Sequence, residues 1–149
     1  MVTISGCLID ASKFSSDWKI IRTTAWVPRF LKNMRRRDKS AGELTAAELA
    51  AARLYCVRVL QEETFTPELK SLQWGSTLPI ISKIALYNPF VDGGRIPLGG
   101  RLQCSDLSRE QLHPLLLASF HRFTELLIMQ THFRLHHLGV RVVLSDPRT

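Results

Sequence analysis

The residues whose type and spacing most suggest chemistry are two histidines near the end of the chain, His132 and His137. Imidazole nitrogens are common metal ligands, and two ligands on one continuous helix usually stand four positions apart, where they share a face. The separation of five suits a metal if the helix ends between the two residues and Gly139 helps to turn the chain. On spacing alone, the other interpretation is a pair of ordinary surface or core histidines.

The three cysteines, Cys7, Cys56 and Cys104, do not complete such a site. They are far apart, and no Cys-x-x-Cys pair occurs, so neither a disulfide framework nor a thiolate zinc site is indicated. Reduced thiols in an intracellular protein are therefore expected. The sequence does not distinguish the nucleus from the cytoplasm.

A second kind of chemistry, the binding of a polyanion, is indicated by the basic residues near the start of the chain. Residues 1–40 hold nine Lys and Arg against three Asp and Glu, and the whole chain has a formal net charge of +7. Nucleic acid, and DNA in particular, is the expected partner, although a solvated basic helix is the other interpretation. The candidate phosphate contacts are Arg29, Lys32, Arg35, Arg36, Arg37 and Lys39.

These basic residues belong to a predicted helix. Ile20, Thr24, Val27, Leu31 and Met34 recur at helical spacing. Pro28 lies inside the pattern, lacks an amide donor and clashes with the carbonyl four residues earlier, so a kink or break is expected near Val27.

Two more helices are predicted from their end signals. Thr45 and Glu48 form a capping box, in which each side chain can bond to the backbone of the other, so a helix is expected to follow Thr45. Thr66-Pro67-Glu68 predicts the start of a short third helix, because proline is favoured in the first turn, and Gly75 can end it.

The later part of the chain predicts β-structure and one more helix. Asp92-Gly93-Gly94 predicts the turn of a hairpin over residues 84–102, and Pro97 predicts an edge strand because it has no amide to donate. A short strand at 114–117 and a helix at about 119–135 are expected to follow. The predicted fold class is α+β and mainly helical, with N-terminal helices, a small antiparallel β-hairpin or sheet, and a C-terminal helix.

Three regions are expected along the chain. Residues 1–40 form a basic helical arm, residues 41–78 a helical linker region, and residues 79–149 a region of hairpin, strand and helix. No run of apolar residues reaches the ~20 needed to span a bilayer, so no membrane is expected as a partner. Signatures of catalytic serine hydrolases, P-loops and dinucleotide-binding loops do not occur, so no small-molecule substrate is expected.

Seven short words of the sequence, taken in order, resemble one family. They are Asp10-Ala11-Ser12-Lys13-Phe14-Ser15-Ser16, Thr24-Ala25-Trp26-Val27, Gly42-Glu43-Leu44-Thr45, Asn88-Pro89-Phe90, Gly99-Gly100-Arg101-Leu102, His113-Pro114, and His132 with His137 followed by Gly139-Val140. The order resembles the polyproteins of BEL/Pao-type long-terminal-repeat retrotransposons, in the segment that joins ribonuclease H to integrase. The resemblance covers nearly the whole chain, from about Leu8 to about Leu144.

This resemblance implies a role for the two histidines. In that family the final element opens the integrase zinc-binding domain, a His-His-Cys-Cys zinc finger, and His132 and His137 match its histidines. The family's Cys-x-x-Cys would lie beyond Thr149, so the resemblance implies half of a zinc site in a truncated zinc-finger element. We therefore expect no cofactor in this chain, with zinc belonging to the full-length family domain.

The resemblance also implies a function. The integrase catalytic core would begin after this chain ends, so the chain is expected not to be an enzyme. The expected role is that of a non-catalytic fragment of a retrotransposon integrase polyprotein, which takes part in DNA integration by binding nucleic acid and packing against other polyprotein domains. One alternative is a protein–protein interaction module that docks through Trp18, Trp26 and Phe30. Another is a decayed element-derived protein with no nucleic-acid role.

Overall fold

The computed structural model describes residues 10–35, 40–79, 81–99 and 112–135, and within them the chain is mainly helical. The four α-helices are α1 (Asp17–Arg35), α2 (Ala46–Thr64), α3 (Thr66–Gln73) and α4 (Arg122–Arg134). Short 3-10 turns lie at Ala11–Lys13 and Ala85–Tyr87. The helical part of the predicted fold class is confirmed. In this part of the chain, no helix is both long enough and apolar enough to cross a membrane.

The described residues divide into two compact units. The first contains residues 10–35, 40–56 and 119–135, and the second contains residues 57–79, 81–99 and 112–118. The boundary falls inside α2, between Cys56 and Val57. The units therefore interleave along the chain.

The first unit contains the contact between α1 and α4. Its buried apolar side chains are Ile20, Ile21, Ala25, Ala52, Phe123 and Leu126. Helix α4 begins after His121, whose Nδ1 accepts a hydrogen bond from the Phe123 amide at 3.1 Å. The helix predicted at about 119–135 is thus present, with an imidazole in the capping position where a hydroxyl or carboxylate is more common.

Helix α1 continues through Pro28, so of the kink or break expected near Val27, the break is not found. Proline inside a helix costs about 3 kcal/mol through its lost amide and its clash with the preceding turn. The turns on both sides are held by tertiary packing, since Thr24 and Ala25 are buried before the proline and Arg29 is buried after it. Burial of this face explains why the helix continues.

The predicted capping box at the start of α2 is confirmed. The Thr45 amide donates to Glu48 Oε2 at 2.8 Å, and the Glu48 amide donates to Thr45 Oγ1 at 3.3 Å. The Thr45 hydroxyl also donates to Glu48 Oε2, at 2.9 Å. The amides of the capping residue Thr45 and of Glu48 in the first turn, which have no partner within the helix, are satisfied in this way.

Helix α3 in the second unit begins and ends where the sequence predicts. Pro67 lies in its first turn, and Gly75 follows it with φ +67°. The Gly75 amide donates to the Leu72 carbonyl, and the Ser76 amide donates to the Ser71 carbonyl. This pair of bonds is a Schellman motif, which requires a left-handed residue where glycine stands.

The predicted turn at Gly93-Gly94 is also confirmed. Both glycines have positive φ, +57° and +78°, and Asp92 and Arg95 exchange two backbone hydrogen bonds of 3.0 Å. Positive φ at both central residues defines a type I′ turn, the common turn of two-residue hairpins.

The strands that should flank this turn are not assigned among the described residues. Isolated antiparallel bridges stand in their place: within residues 88–99, Pro89 pairs with Leu98 and Asp92 pairs with Arg95. The short strand expected at 114–117 is represented by the bridge between Pro97 and Leu115. Pro97 explains the interruption: its carbonyl accepts from the Phe90 amide, but it has no amide to return a bond to Phe90. Pro97 also pairs on the side of Leu115, so its segment has neighbours on both sides and is not the predicted edge.

A buried glutamine of α2 holds the middle of this arrangement. Gln61 has no exposed surface, and its Oε1 accepts from the Ile96 amide at 2.8 Å. Its Nε2 donates to the carbonyls of Ile96 and Leu116, at 3.1 and 2.7 Å. The side-chain amide therefore bonds both irregular segments to the helix in the second unit.

Candidate nucleic-acid interface

Helix α1 carries a surface that combines exposed aromatic and basic side chains. Successive residues of an α-helix are rotated by about 100°, so side chains spaced by four lie on a shared face. We call the exposed aromatic and basic residues within about 80° of Trp26 around the helix the outer face. The outer face consists of Trp18, Lys19, Arg22, Trp26 and Phe30, all of them exposed. The buried residues Ile20, Ile21 and Thr24 lie on the other side of the helix, against the core of the first unit.

The charge of the exposed surface of α1 has one sign. Its exposed charged side chains are Lys19, Arg22, Lys32 and Arg35. The helix has one acidic residue, Asp17, which is buried and accepts a hydrogen bond from the Trp18 amide through Oδ1. A surface that carries only cations attracts a polyanion.

Arg29 differs from the other predicted phosphate contacts because it is buried, with 5% of its surface exposed. Its Nε and Nη2 donate to the two carboxylate oxygens of Glu48 at 2.9 and 2.6 Å. Its Nη1 donates to the Gly42 carbonyl at 2.8 Å, and Nη2 also donates to the Glu43 carbonyl at 2.9 Å. The guanidinium is therefore hydrogen-bonded to other parts of the protein, and we leave Arg29 out of the candidate phosphate contacts.

The electrostatics of this cluster follow from the same bonds. The Arg29 guanidinium, with smaller contributions from the amide and hydroxyl of Thr45, lowers the pKa of the Glu48 carboxyl from 4.5 to about 2. The carboxylate thus stays charged at neutral pH and keeps Arg29 in place. The Arg29 guanidinium carbon in turn lies over the ring of Trp26, 5.2 Å from its centroid, which is within the range of a cation–π contact.

The remaining predicted phosphate contacts fall in two groups. Lys32 and Arg35 are exposed in the last part of α1, about 120° and about 180° around the helix from Trp26. They are therefore not part of the outer face. Arg36, Arg37 and Lys39 lie outside the described residues.

The predicted zinc ligands are only partly described. His132 lies in the last turn of α4 and is half-buried, whereas His137 lies outside the described residues. Among residues 10–35, 40–79, 81–99 and 112–135, no three His, Cys, Asp or Glu side chains come together as metal ligands. Since a structural zinc site takes four ligands, the described part of the chain does not supply one around His132.

Two residues of the outer face, Lys19 and Arg22, are not among the predicted phosphate contacts, which belong to the dense basic run after Pro28. Helical spacing alone places them on this face, because each lies within about 40° of Trp26 around the helix. The aromatic residues Trp18, Trp26 and Phe30 were identified, but as the contact of a protein–protein module.

Comparison of the chain with protein-family models, with curated proteins and with solved structures found no match.

Proposed function

We propose that this chain is a non-catalytic, nucleic-acid-binding segment of a retrotransposon-type integrase polyprotein, and that α1 supplies its binding surface. The observation that carries the proposal is the uniform positive charge of the exposed side chains of α1. The resemblance in sequence words to the ribonuclease H–integrase junction supports the polyprotein context. In that context the chain also packs against other integrase domains.

The arrangement of charges favours binding without sequence preference. Lysine and arginine on a solvated helix surface contact phosphates, and phosphate contacts position a protein on nucleic acid without reading its bases. Lys19 and Arg22 lie on one side of α1, and Lys32 and Arg35 lie on other sides nearer its end. A nucleic-acid backbone that passes along or across the helix can contact cations that are spread in this way.

Docking of another protein is the second candidate, and the exposure of Trp18, Trp26 and Phe30 favours it. Their exposed fractions are 46%, 44% and 63%, and solvated aromatic side chains at this spacing are typical of helix-to-protein contacts. The two candidates differ in their response to salt. Phosphate binding weakens with a log–log slope of about −0.9 for each phosphate neutralised on duplex DNA, whereas apolar docking has no such dependence.

The test is the affinity of the full chain for a labelled DNA oligonucleotide, measured by fluorescence anisotropy over a series of salt concentrations. A double variant, Lys19→Ala with Arg22→Ala, should weaken binding and reduce the slope by about two at most, because at most two phosphate contacts are lost. A second double variant, Lys32→Ala with Arg35→Ala, tests in the same way how much the two cations near the end of α1 contribute to affinity and salt slope.

The matched control removes two positive charges elsewhere. Lys70 and Lys83 are exposed residues of the second unit, and their joint replacement by alanine lowers the net charge equally. If the proposal holds, this variant keeps the slope of the parent chain. Equal slopes for all three double variants would show that only net charge acts, and would overturn the assignment to α1.

A further inference from the structure

Trp26 is held in a position that leaves it partly open to solvent. One face of its ring lies against the Arg29 guanidinium at 5.2 Å, while 44% of the residue is exposed. Arg29 is in turn fixed by hydrogen bonds to Glu48, Gly42 and Glu43. A side chain that is ordered before binding loses less conformational entropy when a ligand arrives. Trp26 is therefore a preorganised flat surface rather than a mobile aromatic side chain.

Two more exposed aromatic rings accompany Trp26 on the outer face. Trp18 lies two turns earlier and Phe30 one turn later, so the three span about 18 Å along α1 at a rise of about 1.5 Å per residue. Lys19 and Arg22 lie among them on the same face. Aromatic rings interleaved with cations are the combination by which proteins hold unpaired bases and the phosphates between them.

We propose that the outer face of α1 takes single-stranded nucleic acid, and that Trp26 stacks on an unpaired base. This inference rests on the proposed function, and it names the substrate class of the same surface. In a duplex the faces of the bases are covered by their neighbours, so an aromatic ring on a helix surface gains no stacking there. In a single strand the faces are accessible, and every base has one, which keeps the binding tolerant of sequence.

Charge complementarity selects this occupant over an apolar protein surface. The charged residues of the outer face are both cations, and the exposed charges elsewhere on α1 are cations as well. A purely apolar partner would bury Lys19 and Arg22 without pairing them, which costs free energy. A polyanion with exposed aromatic faces satisfies both kinds of side chain.

The test compares a labelled oligothymidylate with a duplex of the same length, using the full chain at one low salt concentration. The single strand should bind more tightly. Trp26→Ala should weaken binding of the single strand by about tenfold, since one stacked base contributes about that factor. The salt slope of Trp26→Ala, measured separately over a series of salt concentrations, should equal that of the parent chain, because no phosphate contact is removed.

Two further variants separate stacking from loss of structure. Leu31→Ala removes an exposed apolar side chain of the same helix, about 140° around it from Trp26, and should bind like the parent chain. Trp18→Ala removes a ring of the outer face that does not depend on Arg29, and it should also weaken single-strand binding. Circular dichroism of each variant checks that α1 remains helical.

The results distinguish this inference from the proposed function. If duplex and single strand bind equally and neither tryptophan variant weakens binding, phosphate contacts alone act, so base stacking is overturned while nucleic-acid binding stands. If neither nucleic acid binds at low salt, both proposals fall. Tighter binding of the single strand, lost in part with each tryptophan but kept in Leu31→Ala, supports both.

Discussion

At the scale of single residues, Glu48 accepts hydrogen bonds from two different sources. Its carboxylate caps α2 through Thr45 and binds the buried guanidinium of Arg29. Both sets of bonds need the charged form, and this is why the pKa of Glu48 falls to about 2. The sequence shows the cap, since Thr45 and Glu48 are three residues apart. It does not show Arg29, which is 19 residues from Glu48 and meets it only in the folded chain.

We predict a pH dependence of stability that comes from Glu48. Its pKa is about 2 in the folded protein against an ordinary value of 4.5, so the folded state favours the charged form. The stabilisation is therefore complete above about pH 4.5 and is lost as the pH falls from there towards 2. Urea unfolding of the parent chain and of Glu48→Gln across this range measures it. The stability difference between the two chains should shrink as the solution becomes more acidic, and a difference independent of pH would contradict the prediction.

Gln61 gives a second prediction at the residue scale. Gln61→Leu removes three hydrogen bonds and leaves the Ile96 amide and the Leu116 carbonyl to find other partners, whereas the Ile96 carbonyl still accepts from the Leu116 amide. A buried polar group without a partner costs about 1–3 kcal/mol, so a loss of a few kcal/mol in the free energy of unfolding is expected. Gln73→Leu, at an exposed position near the end of α3, is the control and should change stability by less than about 0.5 kcal/mol. Equal effects of the two would show that Gln61 does not hold the two segments.

At the scale of elements, two glycines within the 88–99 segment, Gly94 and Gly99, are needed for different reasons. Gly94 has φ +78°, and a Cβ there would meet Arg58 Cδ at 3.5 Å, which is ordinary contact. Gly99 would instead place a Cβ 2.6 Å from the Asn88 carbonyl oxygen, which is too close for real atoms. Glycine is therefore needed at position 94 because of its positive φ, and at position 99 because a Cβ would clash with the Asn88 carbonyl oxygen.

These different reasons predict different responses to substitution. Gly94→Ala should cost about 1 kcal/mol, while Gly94→Asn should cost less, because asparagine tolerates the left-handed region. At Gly99 both substitutions should be destabilising, since either side chain carries a Cβ against the Asn88 backbone. Thermal unfolding of the four variants checks this pattern. Similar losses for alanine and asparagine at Gly94 would contradict the conformational explanation.

At the scale of the whole molecule, the sequence is informative where a signal and its partner lie close together. The capping box at Thr45, the end of α3 at Gly75 and the turn at Gly93-Gly94 each depend on a few neighbouring residues, and all three are as predicted. The break expected near Val27 and the edge position of Pro97 are not found, and Arg29, a predicted phosphate contact, is buried. Each of those depends on segments distant in the chain, and tertiary packing decided the outcome.

The candidate interface shows the same limit. Helical spacing was sufficient to place Trp18, Trp26 and Phe30 on one face, but it could not say that Arg29 would be withdrawn from the basic set. Burial of Arg29 depends on Gly42, Glu43 and Glu48, which follow after a gap in the helical pattern. Density of charge in the sequence therefore overstates the number of cations available to a ligand.

We predict that zinc does not stabilise the chain. His132 and His137 are two ligands, the cysteines are scattered, and zinc sites gain much of their binding energy from thiolates. The melting temperature of the purified chain should be the same with and without a chelator, and metal analysis should find much less than one zinc per chain. Stoichiometric zinc with a large drop in melting temperature on chelation would contradict this. The control is His132→Ala, which should behave like the parent chain towards chelator.

The shared acceptor at Glu48 also has an evolutionary consequence. Arg29 and Thr45 both bond to its Oε2, so the same oxygen constrains the replacements allowed at three positions. Loss of Glu48 alone leaves a buried cation without its anion, which is among the most destabilising single changes. Arg29 can be replaced by an apolar residue only if the Glu48 carboxylate is then held by its hydrogen bonds to Thr45 alone. Positions 29, 45 and 48 are therefore expected to covary among descendants of this sequence, with position 48 the last of the three to change.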